Sequence, residues 1–362
     1  MTTWPFVVVF LVALGVALVA TPLAGAWGRR RGLVDEPGPR RWHRGSIART
    51  GGIALFAGFM AAALLAQWLP VPRQDPNELT RFVGIALGCL FLFLFGLIDD
   101  KVEFRPGPIY LAEAAAGVIA ILCVVFIERV MNPFTDQIQV FPYWFTVAFT
   151  LLWIMGMINT VNFLDGLDGL ATGVAAIVSA VLAVHMVREG QYSVALLPLA
   201  LLGATLGFLP FNFHPARVFM GSSGALVVGY AIATLGIAAG AKLALVMLML
   251  SIPIVDVAWL MISRLRAGRS IGQADRQHLH YRLLDLGLSQ RQVVLLYYAY
   301  CAVLGAVALL VSSRLLKLTL LVGLGLATIL ALGWLARRMP QSGHSRQNGH
   351  SERSEESPSN QG

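Results

Sequence analysis

A chain of 362 residues that is 57% hydrophobic, only 13% charged and has a mean hydropathy of +0.71 is not an ordinary soluble protein; a globular domain usually carries about 25% charged residues. The composition reads as a polytopic membrane protein, and this excludes nucleic acid as the reason for the net charge of +8, because basic residues collect in cytoplasmic loops of such proteins. Cys89, Cys123 and Cys301 all fall inside apolar runs, where a thiol acts as a small hydrophobe, so neither a disulfide framework nor a cysteine metal cluster is expected.

Apolar runs long enough to cross a bilayer predict an all-α fold of about eleven transmembrane helices, near 4–27, 51–70, 81–98, 108–127, 141–158, 169–188, 194–210, 223–239, 241–260, 293–312 and 315–336. The first run is too long for a cleaved signal peptide. One alternate set of connections carries 20 of the 27 basic residues, from Arg29, Arg30 and Arg31 to Arg337 and Arg338. The positive-inside bias therefore puts that set in the cytoplasm, with the N-terminus outside and the C-terminus inside. Residues 1–340 form one membrane domain whose cytoplasmic loops 28–50, 99–107, 159–168, 211–222 and 261–292 build the site. The polar tail 341–362 has no apolar periodicity and reads as disordered.

Every unusual polar cluster falls on that cytoplasmic side. In DEPGPRRWHRGSIARTGG, Arg41, His43 and Arg49 are interleaved with Pro37, Pro39, Gly51 and Gly52 in a shaped loop, whereas Arg29 to Arg31 suit lipid headgroups. In GLIDDKVEFRPGP, Asp99 and Asp100 end an apolar run; adjacent carboxylates there either hold a divalent ion, act as a base, or form a solvated helix end. In NTVNFLDGLDGLATG, Asn159, Asn162, Asp165 and Asp168 recur every third residue, and Gly166 and Gly169 let a ligand approach the backbone. Carboxylates and amide oxygens gathered at a membrane edge suit Mg2+ and a phosphorylated ligand. In NFHPARVFMGSSGALVVG, Asn212 and His214 precede a Gly-Ser-Ser-Gly turn that either binds phosphate through backbone N–H groups or simply caps a helix. In GRSIGQADRQHLHYRLLDLG, Arg276, His278 and His280 suit phosphate contact; no Cys or third clustered His completes a zinc site.

GLIDD, NxxNxxDGxDGLATG, PARVFMG and ADRQHLHYRLLDLGLSQRQ, in this order and topology, resemble the polyprenyl-phosphate N-acetylhexosamine-1-phosphate transferases over about residues 35–310. These are bacterial enzymes that start O-antigen, enterobacterial common antigen or teichoic acid synthesis, together with the peptidoglycan MurNAc-pentapeptide translocase. The resemblance implies a bundle of ten or eleven helices in the plasma membrane and a cytoplasmic cleft. It implies transfer of a sugar 1-phosphate, favouring GlcNAc 1-phosphate, from a UDP-sugar to polyprenyl phosphate, with release of UMP and a need for Mg2+ (or Mn2+ in its place). Asp99 and Asp100 match the aspartate pair, Asp99 as base or orienter. Asn162 matches a metal-contacting asparagine, with Asp100 and Asp165 as further ligands. Asp165 and Asp168 match the acidic catalytic positions, and Arg41, His43, Arg49, Asn159, Asn212, Arg276, His278 and His280 fall among residues expected to bind substrate. A homodimer is compatible with this reading.

Three departures stand out. Ser222 occupies the place of an aspartate that is usually a principal metal ligand, Tyr281 stands at the third position of the histidine motif, and no basic residue appears between Pro106 and Tyr110. Alternatives are phospho-MurNAc-pentapeptide transfer, a degenerate relative that binds lipid or nucleotide without turnover, and a transporter. A transporter, however, places its polar residues near the midplane.

Overall fold

The computed structural model describes residues 3–36, 45–240, 243–266, 268 and 278–338. Arg41, His43, Arg276 and the 341–362 tail lie outside the described residues.

The fold is helical, with two small antiparallel hairpins. In chain order the elements are α1 (Trp4–Arg31), β1 (Val34–Asp35), β2 (Ile47–Ala48), α2 (Gly51–Ala66), α3 (Glu78–Val102), α4 (Pro106–Leu122), β3 (Arg129–Met131) and β4 (Ile138–Val140). There follow α5 (Tyr143–Leu164), α6 (Leu170–Arg188), α7 (Tyr192–Asn212), α8 (Gly221–Ala238), α9 (Leu243–Met249), α10 (Ser251–Arg266), α11 (Leu279–Asp285), α12 (Gln290–Leu310) and α13 (Arg314–Arg338). Each predicted span has a helical counterpart. Among the described residues eight helices are long and apolar enough to cross a membrane, nine if the bent pair α9–α10 counts as one span. The remaining two, α2 and α4, have 16 and 17 residues. At 1.5 Å per residue they reach about 24–26 Å, short of a hydrocarbon core of roughly 30 Å.

The expected single span at 241–260 is broken: α9 and α10 meet at an 80° bend. Pro253 has no N–H to offer the carbonyl four residues back, at Met249. The Cys301 thiol of α12 donates to that carbonyl instead, at 3.3 Å. Ser251 and Tyr300 hydrogen-bond beside it, fastening the break to α12. Two expected loops are also shorter than read. Helix α3 runs through Asp99 and Asp100, and α5 runs through Asn159 and Asn162 to Leu164. Asn159 is accommodated inside α5, its amide donating back to Met155 O at 2.8 Å.

Helix α8 is the axis of the bundle. It is apolar on every side, as a helix enclosed by others must be, and Ser222 is the one residue of its 18 that is not buried. It packs against α3, α5 and α2. Small residues allow backbone approach, the usual means of packing helices in lipid: a Cβ at Gly229 would lie 2.6 Å from Ile158 Cα. The N-terminus of α8 thereby comes to one end of the bundle, beside the ends of α3 and α5.

Candidate active site

The 45–52 loop and the 217–221 segment are knitted together first. Ala48 bridges Val218, Phe219 N–H donates to Ala48 O at 2.8 Å, and Gly51 and Gly52 N–H groups donate to Phe219 O and Met220 O. This places Arg49 over the start of α8. Its guanidinium pairs with Glu103 at 2.7 Å and lies within electrostatic reach of Asp100.

Asp100 is locked onto α8. Its Oδ1 accepts the Ser222 N–H at 2.7 Å, and its Oδ2 accepts the Ser223 N–H at 3.1 Å and the Ser223 hydroxyl at 2.7 Å. A carboxylate at a helix N-terminus satisfies orphan donors and complements the dipole. The N–H groups of Ser222 and Ser223 are therefore taken by Asp100, which corrects the option that this turn offers them to a phosphate. Gly221 makes the lock possible, with a φ of 72° and a virtual Cβ only 2.5 Å from Arg49 O and 2.8 Å from Asp100 Oδ1. We expect Gly221→Ala to lose most activity and to destabilise the protein by more than the ~1 kcal/mol of a left-handed penalty, as a thermal melt will show.

Asp165 follows the last residue of α5. It lies within electrostatic reach of Asp100, Arg49 and Asp168. Its carboxylate has no hydrogen-bond partner among the described residues, although Asp99, Asp100 and Asp168 each do. Part of its surface still meets water, but burial in the cluster pushes its pKa well above the ordinary range, and repulsion from Asp100 adds to this. Half-buried Asn162, one turn earlier in α5, also keeps its amide free of hydrogen bonds among the described residues.

The other expected residues are placed as follows. Asp99 Oδ1 accepts the Phe104 N–H at 2.8 Å, closing the end of α3. Asp168 turns to the 213–217 loop, holding His214 Nδ1 at 2.8 Å and the Ala216 N–H at 3.1 Å. Asn159 is buried and donates to Glu113 Oε2 at 2.6 Å, inside the bundle rather than on a substrate wall. Asn212, 1% exposed, accepts from Thr172 and donates to Val218 O, so it braces the loop from within. Both amide ends are used by the protein, which moves Asn212 from substrate contact to support.

The histidine segment docks onto the aspartate-glycine turn. His278 and His280 are stacked at 5.5 Å with ring planes 4° apart, and the Tyr281 hydroxyl donates to Gly166 O at 3.0 Å. Gly166 is required by this approach: a Cβ there would lie 2.8 Å from His280 Nε2. Burial, with His278 alongside, lowers the His280 pKa to about 3, so this ring is neutral at pH 7. Its Nε2 has no partner among the described residues.

Three partners were not singled out in the sequence: Glu113 beneath Asn159, Ser223 on Asp100 and Glu103 on Arg49. Glu113 alone had a local signal, an acidic residue inside an apolar run.

Among the described residues no three His, Cys, Asp or Glu side chains form a closed metal cage. The donor set fits a different kind of site. Mg2+ binds through one or two carboxylates and completes its octahedron with water and substrate phosphates. Asp165, partly buried near another carboxylate and with no hydrogen-bond partner among the described residues, suits a counter-cation; Asn162, Asp100 and the Ser222 hydroxyl could supply the remaining protein oxygens.

The profile of glycosyl transferase family 4 matches residues 82–240, which takes in Asp99, Asp100, Asp165, Asp168 and the start of α8. A Bacillus subtilis (strain 168) protein named probable undecaprenyl-phosphate N-acetylglucosaminyl 1-phosphate transferase is 31% identical over 323 residues, covering 87% of each chain. A Mycolicibacterium smegmatis decaprenyl-phosphate N-acetylglucosaminephosphotransferase is 30% identical over 324 residues, 80% of this chain and 78% of its own. The Anoxybacillus flavithermus phospho-N-acetylmuramoyl-pentapeptide-transferase is 31% identical over 283 residues, 74% of this chain and 84% of its own. With this similarity running through the helices and the polar ends that they bring together, the chain belongs to glycosyl transferase family 4, among the polyprenyl-phosphate N-acetylhexosamine-1-phosphate transferases.

Proposed function

We propose that the protein transfers N-acetylglucosamine 1-phosphate from UDP-N-acetylglucosamine to polyprenyl phosphate at the cytoplasmic face of the plasma membrane and releases UMP. The observation that carries this reading is the convergence of Asp100, Asp165, Arg49 and the His278–His280 segment at one end of an apolar bundle. A lipid phosphate reaches only such a boundary, and a nucleotide sugar exists only inside the cell. The loop-charge bias assigns that end to the cytoplasm, and the names of the B. subtilis and M. smegmatis relatives favour N-acetylglucosamine.

In the reaction an anionic oxygen of the lipid phosphate attacks the sugar-bearing phosphorus of the donor. A P–O bond forms to the lipid, the P–O bond to UMP breaks, and UMP leaves with the electron pair. A phosphate monoester has a second pKa of about 6, so its oxygen needs orientation more than deprotonation, and Asp99 serves as the orienter. When bound, Mg2+ neutralises the pyrophosphate and polarises the attacked phosphorus; Asp165, Asn162 and Asp100 would hold it. Arg49 and His278 contact the phosphates, while Asp168 and Asn212 keep the 213–217 loop in place behind them.

The test is purified protein with undecaprenyl phosphate, Mg2+ and radiolabelled UDP-N-acetylglucosamine, scored for lipid-linked sugar and UMP. Product from UDP-MurNAc-pentapeptide alone would redirect the donor assignment, and no product from either donor would overturn the enzyme reading. Ser222→Asp places a carboxylate on the one open residue of α8. It is expected to lower the Mg2+ concentration needed for half-maximal rate; loss of all activity would show that Ser222 is not a weakened ligand position.

A further inference from the structure

An acidic residue that plays no part in this mechanism lies beneath the histidine segment. Asp256, in α10 three residues after Pro253, is 3% exposed. A buried carboxylate is expensive unless it is hydrogen-bonded, and both oxygens are engaged. Oδ2 meets His278 Nδ1 at 2.9 Å, and Oδ1 accepts the Leu279 N–H at 3.1 Å. The imidazole is sandwiched between Phe163, with ring centroids 4.7 Å apart, and His280. The group borders a small cavity shared with Thr160, Phe163, His280 and Tyr297. Asp256 lies in the second turn of α10, past the 80° bend that separates this helix from α9.

We infer that Asp256 is the positioning residue of the histidine segment: it holds His278 through Nδ1 and so fixes the ring plane that presents Nε2 to the donor phosphates. The partner of one ring nitrogen bears on the state of the other, and at metal-bound histidines loss of such a partner costs about 10–100-fold, which sets the scale expected here. Asp256 touches no substrate and acts only through His278 and the start of α11. The inference rests on the proposed donor-binding role of His278.

The test uses the full-length protein in detergent, labelled with 15N-histidine, with the His278 signals assigned through His278→Gln. In Asp256→Asn the His278 Nδ1 resonance is expected to shift as its carboxylate partner is lost. Kinetically, kcat/KM for UDP-N-acetylglucosamine should fall about 10–100-fold while KM for undecaprenyl phosphate stays unchanged. Asp256→Glu should regain part of the loss, and Asp256→Asn combined with His278→Gln should be no worse than His278→Gln alone. An unchanged nitrogen pattern would overturn the inference. So would an equal loss toward both substrates together with a lowered melting temperature, which marks a merely structural acid. Should the wild type fail to turn over, the proposed reaction fails, and the nitrogen pattern still decides what Asp256 does.

Discussion

Asp165→Asn is expected to lower turnover by about 10^2–10^3-fold, the scale of losing one charge-stabilising group, while leaving the protein as stable as the wild type or more so. The two effects have one cause. Asp165 is an acid placed beside Asp100 with no hydrogen-bond partner among the described residues, and burial raises its pKa well above the usual range. The sign follows from linkage. The folded state binds this proton more tightly than the unfolded chain, whose aspartates titrate at about 3.9. The stabilisation is therefore complete below that value and is lost as pH rises through the raised folded pKa. Without a divalent cation, the wild type should lose thermal stability across that window, and Asp165→Asn should lose less. Melting curves followed by tryptophan fluorescence in a chelating buffer will show the difference. An inactive variant that is also less stable would mean that Asp165 is a structural acid.

Asp100→Ala is the second large effect, with the opposite pattern. Alanine orphans the Ser222 N–H, the Ser223 N–H and the Ser223 hydroxyl at once. Each abandoned buried donor costs about 1–3 kcal/mol, so a loss on the order of 3–5 kcal/mol is expected along with loss of activity, comparable to breaking a buried charged partner. Asp100→Asn keeps the shape and one acceptor oxygen but turns an NH2 toward its neighbours. Its melting temperature should fall between those of Asp100→Ala and the wild type, with turnover still abolished. If Asp100→Ala melted with the wild type, the anchoring of α8 through this carboxylate would be refuted.

Much of the architecture was legible because hydropathy is a local property. Runs of Leu, Val, Ala and Phe mark helix positions whatever their neighbours do, and the polar clusters GLIDD and NFLDGLDG show against that background. Roles within the site were less legible, since they depend on partners remote in the chain. Asp100 meets Ser222 and Ser223 across 122 and 123 residues, and Asn159 meets Glu113 across 46. No periodicity distinguishes an asparagine that faces a ligand from one that faces a glutamate. The break in the ninth span was readable in principle from Pro253, but its 80° angle depends on Cys301 and Tyr300 of α12 taking up the loosened groups. The three-residue repeat of Asn159, Asn162, Asp165 and Asp168 also divides in three dimensions: Asn159 turns inward to Glu113, while Asp168 turns to His214.

The bent pair also bears on how the chain is made. Helix α9 has seven residues, about 10 Å at 1.5 Å per residue, and cannot cross a bilayer by itself. The groups that complete its end belong to α12, and α13 packs on it as well. Both are translated afterwards. During synthesis the 243–266 segment is therefore expected to have Met249 O without its Cys301 partner until α12 arrives. Nascent chains cut before residue 290 should leave this segment accessible to protease, whereas chains extended past Cys301 should protect it.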